Sequence, residues 1–312
     1  MKSKQAILIN LWIFNHPFVG ISDQLEFLLN ALKQNGYDVS VSRNPSLFRL
    51  NIVIENFSEN SRRVVQDFCS SSGKRVAIVM TEHIDFIESK IFIHGSPLWT
   101  KNDYMHPDIQ ANRLKSLFAC TPFISAFLVL GDMPELLGLE NMFPGVGILS
   151  IPFPRIIKTL KFNNPDTDFI FSGCHTFYRS KMINLIKDNG FTIIANEHFS
   201  SRKVRNILGY RAKINLNIPQ RSDWHWLSLM RILAALYIGR PTISLNTSDV
   251  SMISSGCIQL DTSSENWADK LRESLANSEL IYEELLSNYV EMQNCQKLFP
   301  HDFFRYWSLL EL

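Results

Sequence analysis

Short, almost unbroken apolar runs alternate along this chain with longer stretches in which leucine and isoleucine return every three or four positions. The runs at 6–10, 37–42, 50–55 and 75–80 have the length of strands buried on both faces, and the stretches between them have helical spacing. Within 21–35, Leu25, Leu28, Leu29 and Leu32 fall at i, i+3, i+4 and i+7, which defines one buried helix face, and Asn35-Gly36 supplies a C-cap signal. A second helix is expected at 61–70, and a further strand at 118–119. Before the first helix, the segment 14–20 reads as a glycine-bearing loop. The turn Val19-Gly20-Ile21-Ser22 can bring backbone N–H groups and a helix N-terminus up to a ligand, or serve as a plain β-α connection. Strands and helices in this alternation imply a parallel sheet.

The pattern repeats in the second half. Asp168-Phe169-Ile170-Phe171-Ser172-Gly173 has the length and flanks of a buried strand ending in a small-residue turn, and 231–244 reads as a helix, a stop at Gly239 and a short strand. Two strand-to-helix units thus converge on one sheet edge, where open α/β sheets bind phosphorylated ligands. Pro152 and Pro154, followed by Asn163, Asn164 and Pro165, mark a linker. The expected division is 1–155, 156–290, and a last helical segment 291–312. In the helical tail Trp267, Leu271 and Leu275 are in register, and Pro300 breaks the run.

Composition narrows the picture. A chain of 312 residues suits two domains, and 46% hydrophobic residues suffice for two ordinary cores. A net charge of +1 gives no general reason to expect a nucleic acid partner. Five cysteines, an odd number with no Cys-x-x-Cys pair, encode neither a disulfide framework nor a zinc site, which suits the cytoplasm. The start of the chain reads as a first strand and not as a signal peptide. The apolar stretch 117–130 contains Pro122 and falls short of the ~20 residues that span a bilayer. It leaves peripheral contact with the inner face of a membrane open. Nucleophile-elbow, P-loop, zinc-protease and classical NAD motifs are all missing from the sequence.

Phe171-Ser172-Gly173 followed by Arg179, then Lys213-Ile214-Asn215-Leu216-Asn217-Ile218, Arg231 and Gly239-Arg240-Pro241-Thr242-Ile243-Ser244, together resemble the carboxyl-terminal domain of GT-B glycosyltransferases, the group 1 or family 4-like kind. The resemblance implies an α/β, GT-B-like fold of two Rossmann-like domains whose parallel sheets face a central cleft. It implies that the last helix crosses back to the first domain. It further implies metal-independent transfer of a sugar from a nucleotide-sugar donor to a saccharide or glycolipid acceptor, as in cell-surface polysaccharide synthesis, with no cofactor beyond the co-substrate.

Such a reaction needs cations for the departing phosphate and a base for the acceptor proton. Arg179, Lys181, Arg202, Arg221 and Arg231 are the candidate cations, with Arg179 and Arg231 ranked first for their places beside the strand turn and the helix start. Surface salt bridging is the competing reading. Gly173, His175, Asn217, Trp224 and Ser244 complete the expected donor site. Glu82, with His83 as second choice, follows the strand 75–80 directly and is the expected catalytic group, while His16, Gly20 and Glu55 are expected at the acceptor side or cleft.

The chain departs from the family where the large retaining branch carries two glutamates. Trp226 and Ala234 stand there, so the carboxylate expected to grip the donor ribose is missing and the anomeric outcome is undecided. Asp223 or a tryptophan of the neighbouring loop could rebuild that contact. Asp166-Thr167-Asp168 matches an Asp-x-Asp metal signature but precedes its strand instead of following it, so no metal site is expected. The competing classes are a non-catalytic glycosyltransferase-like binding or scaffold protein and a sugar-nucleotide epimerase. The nucleotide base, the sugar, the acceptor and the oligomeric state have no legible signature.

Overall fold

The computed structural model describes residues 6–14, 16, 18–54, 57–81, 84–93, 95–98, 107–132, 138–156, 164–196 and 200–311. The chain forms two compact units, one of Met1–Pro17, Gln24–Pro154 and Lys297–Leu312, the other of Phe18–Asp23 and Arg155–Gln296.

In the first unit the chain runs β1 (Leu8–Trp12), α1 (Phe18–Gln34, whose first residues Phe18–Asp23 belong to the second unit), β2 (Asp38–Ser42), β3 (Leu50–Ile54), α2 (Glu59–Ser72) and β4 (Val76–Val79). Three short antiparallel strands follow, β5 (Ile84–Ile87), β6 (Lys90–Ile93) and β7 (Ser96–Pro97), then α3 (Pro107–Cys120), β8 (Ile124–Leu130), α4 (Leu139–Met142) and β9 (Gly147–Ile151). The main sheet has the order β2-β1-β3-β4-β8-β9 and is parallel throughout. Its central strands β3 and β4 are buried at every position, as continuous apolar runs require.

Helix α1 buries Leu25, Leu28 and Leu32 on the face that the leucine spacing predicts, and Gly36 ends the turn after it at φ 85°. Its start differs from expectation. Phe18 to Gly20 are already helical, so Gly20 belongs to the helix and not to a loop. Phe118 and Ala119 differ too. They lie inside α3, and the strand begins only after the Pro122 turn. An apolar stretch of that length reads alike as buried strand or buried helix.

The second unit runs β10 (Thr167–Phe171), α5 (Phe177–Asp188), β11 (Ile193–Ala195), α6 (Arg202–Arg211), β12 (Ala212–Asn217), α7 (Leu229–Tyr237), β13 (Thr242–Leu245), β14 (Ile258–Leu260), α8 (Trp267–Ala276) and α9 (Ser278–Cys295). Its sheet is parallel in the order β11-β10-β12-β13-β14. Phe169, Phe171, Ile214, Leu216, Ile243 and Leu245 from its strands pack with Ile183 and Ile186 of α5 and Leu271 of α8. Full burial of each such side chain contributes roughly 1.5–3 kcal/mol.

Both sheets wind in the same sense. The second strand lies outside the first and the third on its other side, which places a topological switch point between β1 and β3 in one unit and between β10 and β12 in the other. The last helix, α10 (His301–Glu311), belongs to the first unit, where Phe304 and Trp307 are buried and Tyr37 donates or accepts at 2.9 Å with His301 Nδ1. Among the described residues, no helix is long and apolar enough to cross a membrane.

Candidate functional site

The carboxyl ends of β10 and β12 flank the switch point of the second unit, and the residues gathered there are polar. Strand β10 leaves its core position at Phe171 and turns through Ser172 and Gly173. Gly173 has φ 155°, and a Cβ placed on it would lie 2.9 Å from Arg231 Nη2, 3.2 Å from Phe171 Cζ and 3.5 Å from Arg179 Nη1. Only glycine leaves room for two guanidinium groups to converge on this turn.

Each arginine is delivered by a helix start. Thr176 caps α5, its Oγ1 accepting from Arg179 N at 3.3 Å and donating to Gln220 O at 2.7 Å. Buried Arg179 then donates from Nε to Ile218 O and from Nη1 to Cys174 O, both at 2.9 Å. Arg231 is the cation of the otherwise apolar helix α7 and donates from Nε to Ser172 O at 3.0 Å and from Nη1 to Asn217 Oδ1. Both guanidinium carbons stand 5.3 Å from the centroid of the Phe171 ring, a cation–π arrangement.

Behind Arg231 runs a buried relay. Asn217 Nδ2 donates to Ser244 Oγ at 2.7 Å, and Thr247 Oγ1 donates to the same oxygen at 2.7 Å. Asn217 and Ser244 are opposite one another on β12 and β13, and two pairs earlier, on the same face, Asn215 Nδ2 donates to Thr242 Oγ1 at 3.2 Å. These buried amides serve the arginine's position and keep its hydrogen bonds on neutral oxygens. Burial first, and the neighbouring Arg179 charge second, push the Arg231 guanidinium down to about 9, so it stays charged at neutral pH. Two cations held this closely favour an anion beside them.

Next to this pair lies a cavity of about 180 Å³ lined by Gly20, Asp23, Ser172, Gly173, Arg205 and Arg231, with Asn196, Ser200 and Met230 among its other walls. Arg205 on α6 holds Asp23 bidentately, Nη1–Oδ2 at 2.5 Å and Nη2–Oδ1 at 2.7 Å. The site therefore combines fixed cations, one paired carboxylate and several small polar walls.

The residues expected from the sequence divide as follows. Gly173 and Arg231 line the cavity, and Gly20 joins them from the first turn of α1. Arg179 stands beside the same turn, and Asn217 and Ser244 lie buried behind Arg231. His175 meets the Phe171 ring edge-on at 5.9 Å, and its buried Nε2, like Gln220 Oε1, has no hydrogen-bond partner among the described residues. Orphaned polar atoms of this kind fit a ligand.

Others lie elsewhere. Lys181 is exposed on α5 and is not part of the cavity wall. Trp224 packs edge-on to Trp226 at 6.3 Å with Arg221 over it at 5.7 Å. His16 is buried in the first unit, Nε2 at 3.4 Å from Ile54 O, where β1 and β3 end. Glu82, His83 and Glu55 lie outside the described residues.

The Asp-x-Asp carboxylates sit at the amino end of β10, opposite the cavity. Asp166 pairs with Arg211 at 2.9 Å, which holds its carboxyl below the usual range, and Asp168 accepts from Thr192 N and Oγ1. Among the described residues, no group of three or more His, Cys, Asp or Glu could hold a metal ion. The sequence reading missed Asp23 and Arg205. They are 182 positions apart, and neither has a motif around it.

Two Rossmann-like parallel sheets of one strand order, with this switch-point site in the second, give the protein the GT-B glycosyltransferase fold. No family profile and no curated protein sequence matches the chain. Among solved structures it is similar to T4 phage β-glucosyltransferase in complex with its UDP-glucose substrate, with a TM-score of 0.51 at 12% identity over 98% of this chain and 97% of that one. Looser matches are TarM, with a TM-score of 0.47 at 12% identity over 85% of this chain and 55% of that one, and sucrose-phosphate synthase from Thermosynechococcus elongatus, 0.45 at 11% over 98% of each. At such identities the likeness is one of fold.

Proposed function

We propose that this protein is a glycosyltransferase that binds a nucleotide-sugar donor at the β10/β12 switch point and transfers its sugar to a saccharide or glycolipid acceptor. The observation that carries this reading is the pair Arg179 and Arg231 converging on the Gly173 turn, at the sheet edge where α/β folds bind phosphorylated ligands. As the glycosidic bond to the donor breaks, negative charge grows on the leaving diphosphate. Preorganised guanidinium groups stabilise that charge without reorganising. The N-capped start of α5 adds its positive dipole end at the same edge. In this reading, arginines and a helix terminus take the place of a divalent metal. Glu82 and His83, directly after β4, remain the proposed groups for the acceptor proton.

The β-glucosyltransferase of similar fold binds UDP-glucose, which supports beginning with uridine nucleotides. The test is binding of UDP, GDP, ADP, dTDP and CMP, with and without divalent metal, followed by thermal shift and calorimetry. Metal-independent binding of one nucleotide is expected. Arg231→Ala should weaken it by at least roughly tenfold, the loss expected for a charged hydrogen-bonding partner. Arg231→Lys should restore little, since lysine lacks the fork that reaches both Ser172 O and Asn217 Oδ1. Unchanged affinity in both variants would remove the phosphate role, and no binding by any nucleotide would remove the donor reading.

A further inference from the structure

The cavity holds a carboxylate that phosphate binding alone does not call for. Asp23 lines it together with Arg231, Arg205, Ser172 and Gly173, and it carries the negative charge of that wall. Arg205 offsets that charge, so the wall keeps the surplus positive charge of Arg231 while Asp23 supplies its acceptor-only group. A fixed carboxylate next to an anion site suits a ligand that brings hydrogen-bond donors as well as phosphate.

The geometry leaves Asp23 able to take them. Arg205 engages each carboxylate oxygen once, at 2.5 and 2.7 Å. An ionised carboxylate offers about four lone-pair positions, so roughly two remain. The two side chains are about one-fifth exposed, 20% for Asp23 and 19% for Arg205, so the free lone pairs are reachable from the cavity while the group's orientation is fixed. Acceptor-only groups of this kind match vicinal hydroxyls.

We propose that Asp23, oriented by Arg205, is a specificity-determining residue that accepts hydrogen bonds from the hydroxyls of the transferred sugar, and so distinguishes a nucleotide-sugar from a bare nucleotide. The inference rests on the donor reading above and adds to it the part of the donor that is recognised. Arg205 is a positioning residue here. Its two hydrogen bonds fix the orientation of the Asp23 carboxylate.

The test compares four pairs on the full chain by calorimetry: UDP with UDP-glucose, GDP with GDP-mannose, ADP with ADP-glucose, and dTDP with dTDP-glucose. For the pair that the native protein binds, Asp23→Asn should weaken the sugar conjugate by roughly tenfold or more, the effect of losing hydrogen bonds to a charged acceptor, while the bare nucleotide binds equally or more tightly. A purely structural role for the Asp23–Arg205 pair would move both members together. Equal losses, or none, would overturn the inference and leave the donor reading standing. If the native protein binds no member of any pair, both fall together. Should Asp23→Asn fail to fold, Asp23→Glu keeps the charge and displaces the carboxylate by one methylene. Selective loss of the conjugate supports the assignment, and equal loss overturns it.

Discussion

Gly173 is where a single atom decides the site. Its backbone φ is 155°, and its missing Cβ leaves the space that Arg231 Nη2 occupies at 2.9 Å from where that atom would be. Gly173→Ala should cost about 1–3 kcal/mol of stability, from backbone strain and displaced guanidinium groups together. The same change should weaken nucleotide binding more than it lowers Tm, because the arginines it displaces belong to the site; chemical denaturation and calorimetry on one preparation separate the two effects. Gly173 and Arg231 were legible in the sequence because each stands next to an element boundary, after an apolar strand and at the start of an apolar helix. Asn217 and Ser244 were legible as neighbours of that edge, but not as a relay, because which face of β12 meets β13 depends on register. Asp23 had no such marker, being an ordinary polar position in a leucine-rich helix.

At the scale of elements, the start of α5 joins fold to site. Thr176 caps the helix and its hydroxyl also donates to Gln220 O, so it ties β10's exit to the loop after β12. Thr176→Ala is expected to lower stability by about 1–2 kcal/mol, read as a shift of the urea midpoint at unchanged slope. Thr176→Ser, which keeps both hydrogen bonds, should recover most of the loss. Helices with a strong leucine or tryptophan period, such as α1 and α8, were visible in the sequence because one face alone is buried. Short strands were not. β11 and β14 have three residues each and β7 two, too few for any period to show. Phe118 and Ala119 lie on the outer side of helix α3, with Phe118 exposed and stacked on Phe143 at 4.6 Å, and only Pro122 marks where the strand becomes possible.

For the molecule as a whole, the segment Lys297–Leu312 completes the first unit. Phe304 is fully buried with its ring 5.2 Å from Tyr37 and 5.4 Å from Phe299. Lys74 Nζ donates to Glu311 O, and Arg75 N donates to Glu311 Oε2 at 3.0 Å. Phe304→Ala should therefore remove roughly 3–5 kcal/mol from the first unit. Nucleotide affinity of the folded fraction should not change, since every residue lining the cavity belongs to the second unit. Differential scanning calorimetry with and without ligand tests both halves of that statement. That the sheets are parallel was readable from alternation alone, while their strand order was not and this late return of the chain was readable only as an apolar face after Pro300. Its consequence concerns birth on the ribosome. Domains generally fold as they emerge, the earliest first. Here the first unit waits for its own last segment, because the helix that covers Tyr37 leaves the exit tunnel only after residues 155–296 have done so, and until then the unit presents an unfinished apolar surface on which chaperones can act.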